Sequence, residues 1–139
     1  MNVALKHGAF SWSELMSKDS AAAAEFYKKV LPWTMQTMDM PTGPYTLANV
    51  GETPVAGITD VMEGMPPVWT YYVTVDDVDK TLAKAESLGA KTQYGPMDVP
   101  GVGRLAGFLD PQGAFLSVIT YEPMENPDAD SPAFADNFK

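Results

Sequence analysis

The stretch Phe10–Asp19 reads FSWSELMSKD and sets one carboxylate among large apolar side chains. In a strand, alternate side chains share a face, so Phe10, Trp12, Glu14 and Met16 point one way while Ser11, Ser13 and Leu15 point the other. A carboxylate in that company stands at a solvated edge, is paired in a core, or faces a cavity that uses it. Three kinds of chemistry are then open to Glu14: proton transfer with a pKa raised by an apolar setting, acceptor or counter-charge to a ligand, or structural acceptor for a hydroxyl such as that of Tyr72. Other catalytic patterns are missing. There is no cysteine, and the single histidine, His7, precedes the strand and reads as a surface residue, so no nucleophile triad can be assembled. Neither PGVG nor GETPVAG has the order of a phosphate-binding glycine loop.

The elements that must position Glu14 occur twice. Asp19 is placed to cap a helix with the body SAAAAEFYKKVL, which has lysines near its C-terminal end and is stopped by Pro32. In the second half VWTYYVTV reads as a strand, Asp77 as a cap, VDKTLAKAESL as an amphipathic helix and Gly89 as its end. An offset of 58 residues places Asp19 on Asp77, Leu15 on Val73 and Trp12 on Thr70. Strand candidates follow each helix: WTMQTMDM, YTLANV and TPVAGITDV separated by PTGP and GE, then KTQYG, GRLAGFL and AFLSVIT separated by DVPGVG and DPQG. Each half is therefore β-α-β-β-β, with repeats at about 8–62 and 66–121. A half of this kind cannot cover both faces of its own sheet, so the expected fold is α+β: two modules side by side in a cup-shaped mixed sheet, with helices on the convex face.

The 139 residues suit one domain, over residues 1–121, with a core of ordinary size. Hydrophobic residues make up 45% and charged residues 19%, no segment is apolar enough to span a bilayer, and MNVALKHGAF lacks the apolar core of a signal peptide. A cytoplasmic location is the resulting expectation, with which the absence of cysteine agrees. Residues 122–139, EPMENPDADSPAFADNFK, read as an acidic, proline-containing tail. The net charge of −9 disfavours nucleic acid and anionic membrane as partners and favours a cationic or neutral ligand over an anionic one.

Three segments, SKDSAAAAEFYKKVL, VDDVDKTLAKAESLGAK and PGVGRLAGFLDPQGAFLSVI, resemble the vicinal oxygen chelate superfamily of glyoxalases, bleomycin-resistance proteins and extradiol dioxygenases, over roughly residues 8–121. The resemblance implies a cup-shaped site and, in metal-dependent members, a His, Gln or Glu ligand on the first and last strands of each half. Carried over residue by residue, those positions fall on Trp12, Gly57, Thr70 and Ser117, none a good ligand for a divalent cation. The expectation is a site with no metal and no cofactor.

By the same resemblance and by strand alternation, the cavity-facing set is Trp12 and Glu14, then Thr70, Tyr72 and Thr74, then Phe115, Ser117 and Ile119. Trp12 either stacks on a planar ligand or plugs the vacated metal position. Arg104, whose strand parity the preceding glycines obscure, either reaches the rim to hold an anionic group or pairs with Glu14. Met35, Met38, Met40, Met62, Met65 and Met97 form an adaptable lip or fill the core. The leading reading is a metal-independent cup that binds a small planar or aromatic organic molecule. The alternative is a metal-independent isomerase, lyase or hydrolase in which Glu14 moves a proton and Tyr72 or Arg104 stabilises negative charge. A third is an interaction module whose cup is filled by its own side chains. Single-module members of the superfamily commonly pair, and an exposed sheet edge gives a physical reason, so a homodimer is expected.

Overall fold

A computed structural model describes Asn2 and residues 5–123. The first module comprises β1 (Phe10–Ser17), α1 (Ser20–Val30), β2 (Thr34–Met40), β3 (Gly43–Val50) and β4 (Thr53–Asp60). The second comprises β5 (Val68–Thr74), α2 (Val78–Ser87), β6 (Lys91–Val99), β7 (Gly103–Leu109) and β8 (Phe115–Tyr121). All eight strands form one mixed sheet in the order β2-β3-β4-β1-β5-β8-β7-β6, the α+β architecture expected from the repeat. Both modules come from the same chain.

The joint between the modules carries the internal symmetry. Strands β1 and β5 run antiparallel, with Trp12 opposite Tyr72, Ser13 opposite Tyr71 and Glu14 opposite Thr70. A two-fold rotation through the Ser13–Tyr71 pair therefore exchanges Trp12 with Thr70 and Glu14 with Tyr72, which is the 58-residue offset written as geometry. Outward from the joint, β1 pairs in parallel with β4 and β5 with β8.

Local chemistry sets the helix ends. The carboxylate of Asp19 accepts from the Ala22 backbone N–H at 3.1 Å, and that of Asp77 from Lys80 at 3.0 Å, each satisfying a donor the helix start leaves open. Helix α1 ends before Pro32, which cannot continue it. Gly89, at φ +102°, follows α2 in a conformation that glycine adopts readily.

Two details depart from simple alternation. The β1–β5 register slips between Phe10 and Trp12, and this irregularity reverses the side-chain phase upstream. Phe10 consequently leaves the Trp12 face, is 65% exposed and packs edge-on against Tyr71, while Ser11 turns in to share a 2.8 Å hydrogen bond with Tyr121. Strand β6 also runs on through Asp98 and Val99, into the segment read from sequence as a turn, through two further register shifts around Tyr94.

The sheet divides the core. On the α2 side Val75, Val78, Leu82, Ala106 and Val118 pack together. The helix-free face carries Trp12, Met38, Tyr45, Leu47, Val99, Val102 and Ile119. Helix α1 buries none of its residues: Tyr27 rests against Trp33 and Trp69, and Phe26 and Val30 remain exposed. No helix among the described residues is long and apolar enough to cross a membrane. The acidic extension expected after Tyr121 lies outside the described residues except for Glu122 and Pro123, and Glu122 is tied back through its N–H to the Val102 carbonyl at 2.9 Å.

Candidate functional site

Glu14 enters the helix-free face from the middle of β1 and is only 9% exposed. Its Oε2 accepts from the Tyr45 hydroxyl at 2.6 Å and its Oε1 from the Tyr72 hydroxyl at 3.1 Å. The Tyr45 oxygen in turn accepts from Trp12 Nε1–H at 2.8 Å. A chain of hydrogen bonds thus runs from Trp12 through Tyr45 to Glu14, met from the other side by Tyr72.

Tyr45 reaches Glu14 because of a glycine. It stands on β3, Glu14 stands on β1, and β4 lies between them with Gly57 paired to Leu47 on one side and to Glu14 on the other. A Cβ at position 57 would come within 1.7 Å of the Tyr45 hydroxyl oxygen, so only a residue without a side chain lets the ring cross. The second module repeats the device. Tyr94 of β6 crosses β7 at Gly107, where a Cβ would meet its ring at 2.1 Å, and shares a 2.7 Å hydrogen bond with Ser117 of β8.

Above this floor lies a cavity of about 180 Å³. Its wall includes Trp12, Glu14, Tyr45, Tyr72 and Tyr121, together with Met40, Met97, Val99, Val102, Leu105 and Ile119. Burial raises the Glu14 carboxyl above the ordinary glutamate range, and the hydrogen bonds from Tyr45 and Tyr72 pull it partly back. Burial and the nearby Glu14 charge push the Tyr45 and Tyr72 hydroxyls well above the normal tyrosine range, and Tyr121 rises to about 12 chiefly by burial. Tyr45 and Tyr72 therefore stay protonated and donate to Glu14, whose carboxyl is the one acidic side chain in the cavity wall.

Of the residues singled out from sequence, Trp12, Glu14, Tyr72 and Ile119 meet at the cavity. Thr70 is buried beneath it and donates to the Glu14 backbone carbonyl at 3.3 Å. Thr74 is buried with its hydroxyl unpartnered, Ser117 is held by Tyr94, and Phe115 packs against the Tyr94 ring. Arg104 faces α2 instead of the rim or Glu14. Its guanidinium binds Asp79 through Nε at 2.7 Å and Nη2 at 3.0 Å, and Asp98 through Nη1 at 3.1 Å. That fork holds the Arg104 charge in place and the Asp79 carboxyl below its usual range. Among the six methionines, Met40 and Met97 line the cavity, Met38 fills the core, and Met62 and Met65 lie exposed between the modules. Sequence reasoning did not single out Tyr45, Tyr94 or Tyr121. The one signal for Tyr45 is the lone glycine inside VAGI, which marks a close approach without naming what approaches.

A divalent metal does not fit this arrangement. The four positions that the resemblance would make ligands carry an indole, a glycine and two hydroxyls, and the Tyr45 hydroxyl fills the space into which a side chain at 57 would project. No group of three or more His, Cys, Asp or Glu residues that could hold a metal ion occurs among the described residues.

The paired modules, the two-fold joint and the open face agree with comparison to known proteins. Residues 9–118 match the model of the Glyoxalase/Bleomycin resistance protein/Dioxygenase superfamily, and the chain belongs to that family. It is 37% identical over 120 residues to a Mycobacterium tuberculosis protein named "Putative glyoxylase CFP32", covering 85% of this chain and 46% of that one. It is 35% identical over 127 residues to the anthracycline biosynthesis protein DnrV of Streptomyces peucetius, covering 80% and 46%. The chain thus spans about half the length of these relatives. Among solved structures, the Mn(II)-bound glyoxalase from Novosphingobium aromaticivorans shares the fold, with a TM-score of 0.56 at 20% identity over 82% of this chain and 39% of that one.

Proposed function

We propose that the chain binds a small planar or aromatic organic molecule in the Glu14 cavity, without a metal ion. The observation that carries this reading is the Tyr45–Glu14–Tyr72 network in an aromatic and apolar cavity, with the Tyr45 hydroxyl in the space where a side chain at the carried-over ligand position 57 would project. A cavity of this composition, with a few fixed polar groups, is how small-molecule sites are usually built. Trp12 and Tyr72 would supply contact area, Glu14 and the tyrosine hydroxyls orientation. The same reading includes a cytoplasmic protein acting as a homodimer, for which the exposed Phe26, Val30 and Leu31 at α1 provide apolar surface. Sedimentation at micromolar concentration tests the dimer.

A second reading is a metal-independent enzyme. The raised carboxyl of Glu14, open to the cavity and flanked by the Tyr72 hydroxyl, is suited to taking a proton while the tyrosines stabilise developing negative charge. One relative's name, glyoxylase, favours catalysis, and the other's, anthracycline biosynthesis, favours an aromatic ligand.

Elemental analysis of protein purified without added metal, followed by fluorescence titration with planar compounds, tests the first reading. The titration needs a Trp12→Phe control, because Trp33 and Trp69 also emit. The expected result is no stoichiometric metal and saturable quenching that the Trp12→Phe variant loses. Stoichiometric Zn, Mn or Fe would sink it. Glu14→Gln separates the two readings, since loss of a general base lowers turnover by roughly 10² to 10⁴ whereas a binding cup retains much of its affinity.

A further inference from the structure

We propose that the Glu14 cavity is shaped and charged for a single-ring organic cation, with the ligand's ammonium against the Glu14 carboxylate and its ring among the aromatic walls. This deepens the reading of the cavity as a small-molecule site and rests on it.

Size limits what can be buried. The cavity measures about 180 Å³, and a cavity of about 150 Å³ lined by aliphatic and aromatic side chains takes up benzene. One six-membered ring with a short substituent fills the space. A larger ligand would leave its remaining rings in solvent.

Charge limits the sign. The residues that line the cavity include one carboxylate and no Lys, Arg or His. Arg104 is committed to Asp79 and Asp98 on the other face of the sheet. An anionic ligand would therefore meet Glu14 with no counter-charge beside it, while the net charge of −9 gathers cations around the molecule.

Hydrogen-bond capacity agrees. A carboxylate offers about four lone-pair sites, and Tyr45 and Tyr72 each supply Glu14 with one hydrogen. Acceptor capacity remains for a donor arriving from the cavity. Trp12, Tyr45, Tyr72 and Tyr121 bring four aromatic rings to the same wall, the surroundings in which an ammonium gains from π-systems as well as from charge. A cation at this place also offsets the desolvation that lifts the Glu14 carboxyl. Its binding should then favour the ionised form of Glu14, which a neutral ring does not do.

The experiment uses the full chain and three matched probes: benzylammonium, benzyl alcohol and benzoate, titrated by calorimetry at neutral pH. The expected result is benzylammonium binding about tenfold tighter than benzyl alcohol, equivalent to about 1.4 kcal/mol, with benzoate weakest. Benzyl alcohol binding as tightly as benzylammonium overturns this proposal and leaves the small-molecule cup standing. Failure of all three to bind overturns the cup as well. In Glu14→Gln the ammonium-to-alcohol affinity ratio should fall to about one, because the charge is gone and one of the two acceptor oxygens has become an NH2 donor. Should that variant not fold, the unmodified chain serves at lower pH. There the same ratio must shrink as Glu14 takes up a proton, and a flat ratio refutes the proposal.

Discussion

Replacing Tyr45 by Phe keeps the ring that crosses Gly57 and removes only the hydroxyl, so the loss reports on its two hydrogen bonds, the one given to Glu14 and the one taken from Trp12. The 2.6 Å contact to Oε2 is short and directed at a buried carboxylate. Hydrogen bonds to charged groups contribute about 1.5–3 kcal/mol, and Tyr45→Phe should lower stability by that amount. Tyr72→Phe removes a 3.1 Å bond to Oε1 and should lose less, about 0.5–1.5 kcal/mol. With urea slopes of about 1–3 kcal/mol/M for a domain of this size, the Tyr45→Phe midpoint moves down by roughly 1 M, easily resolved by circular dichroism.

A double-mutant cycle decides whether the carboxylate is the origin of that loss. In the Glu14→Gln background the partner of Tyr45 is a neutral amide, so Tyr45→Phe should lose about 1 kcal/mol less than in the native sequence. Tyr71→Phe, on the opposite, solvent-exposed face, is the reference for a tyrosine without this partner. The reasoning is refuted if Tyr45→Phe is no worse than Tyr71→Phe, or if its loss is the same with and without the Glu14 charge.

Three further outcomes follow from the same geometry. Because burial raises the folded pKa of Glu14 above its ordinary value of 4.5, the stability linked to its protonation is full below that value and is lost as pH rises through the folded pKa. The native chain should therefore lose stability relative to Glu14→Gln from about pH 4.5 upward, and urea midpoints that keep a constant gap across that range would refute it. Gly57→Ala places a Cβ 1.7 Å from the Tyr45 oxygen and should destabilise by about 1–3 kcal/mol or more, much of it recovered in Gly57→Ala/Tyr45→Leu, as thermal melts would show. Arg104→Ala should leave ligand quenching of Trp12 unchanged, because its guanidinium faces α2, and a weakened titration would return Arg104 to the site.

Much of the fold was legible because its signals are local and repeated. Asp19 and Asp77 cap, Pro32 and Gly89 stop, and β-branched runs follow in the same order twice. The 58-residue offset reappears in the pairing of Trp12 with Tyr72 and of Glu14 with Thr70. The site was half legible. Alternation puts Glu14, Tyr72 and Ile119 on the strand face that lines the cavity, since each lies on an unbroken stretch of strand. It misplaces Phe10 and Ser11, because one extra residue reverses the phase and nothing in FSWS announces it. Tyr45 was not found because its role depends on crossing a neighbouring strand, and strand order is a long-range property. Arg104 was ambiguous for a related reason: only the placement of Asp79 on α2 and Asp98 on β6 fixes which way it turns.

The backbone is close to two-fold symmetric, yet the chemistry is not. Each module sends a tyrosine across a glycine on a neighbouring strand, but from non-equivalent places: Tyr45 crosses from β3 over β4 to the Glu14 carboxylate on β1, and Tyr94 from β6 over β7 to the Ser117 hydroxyl on β8. The exchange partner of Glu14 under the two-fold is Tyr72, which donates back to Glu14 itself. Hydroxyls from both modules are therefore near a single acidic group held by one of them. An isolated buried carboxylate would be protonated or expelled, and one held by two tyrosines can remain at the cavity wall with spare acceptor capacity. The same glycine that lets Tyr45 across removes a side chain from a position where metal-dependent relatives place a ligand. Gly57 thus both leaves a carried-over ligand position without a side chain and lets in the donor that keeps Glu14 in place.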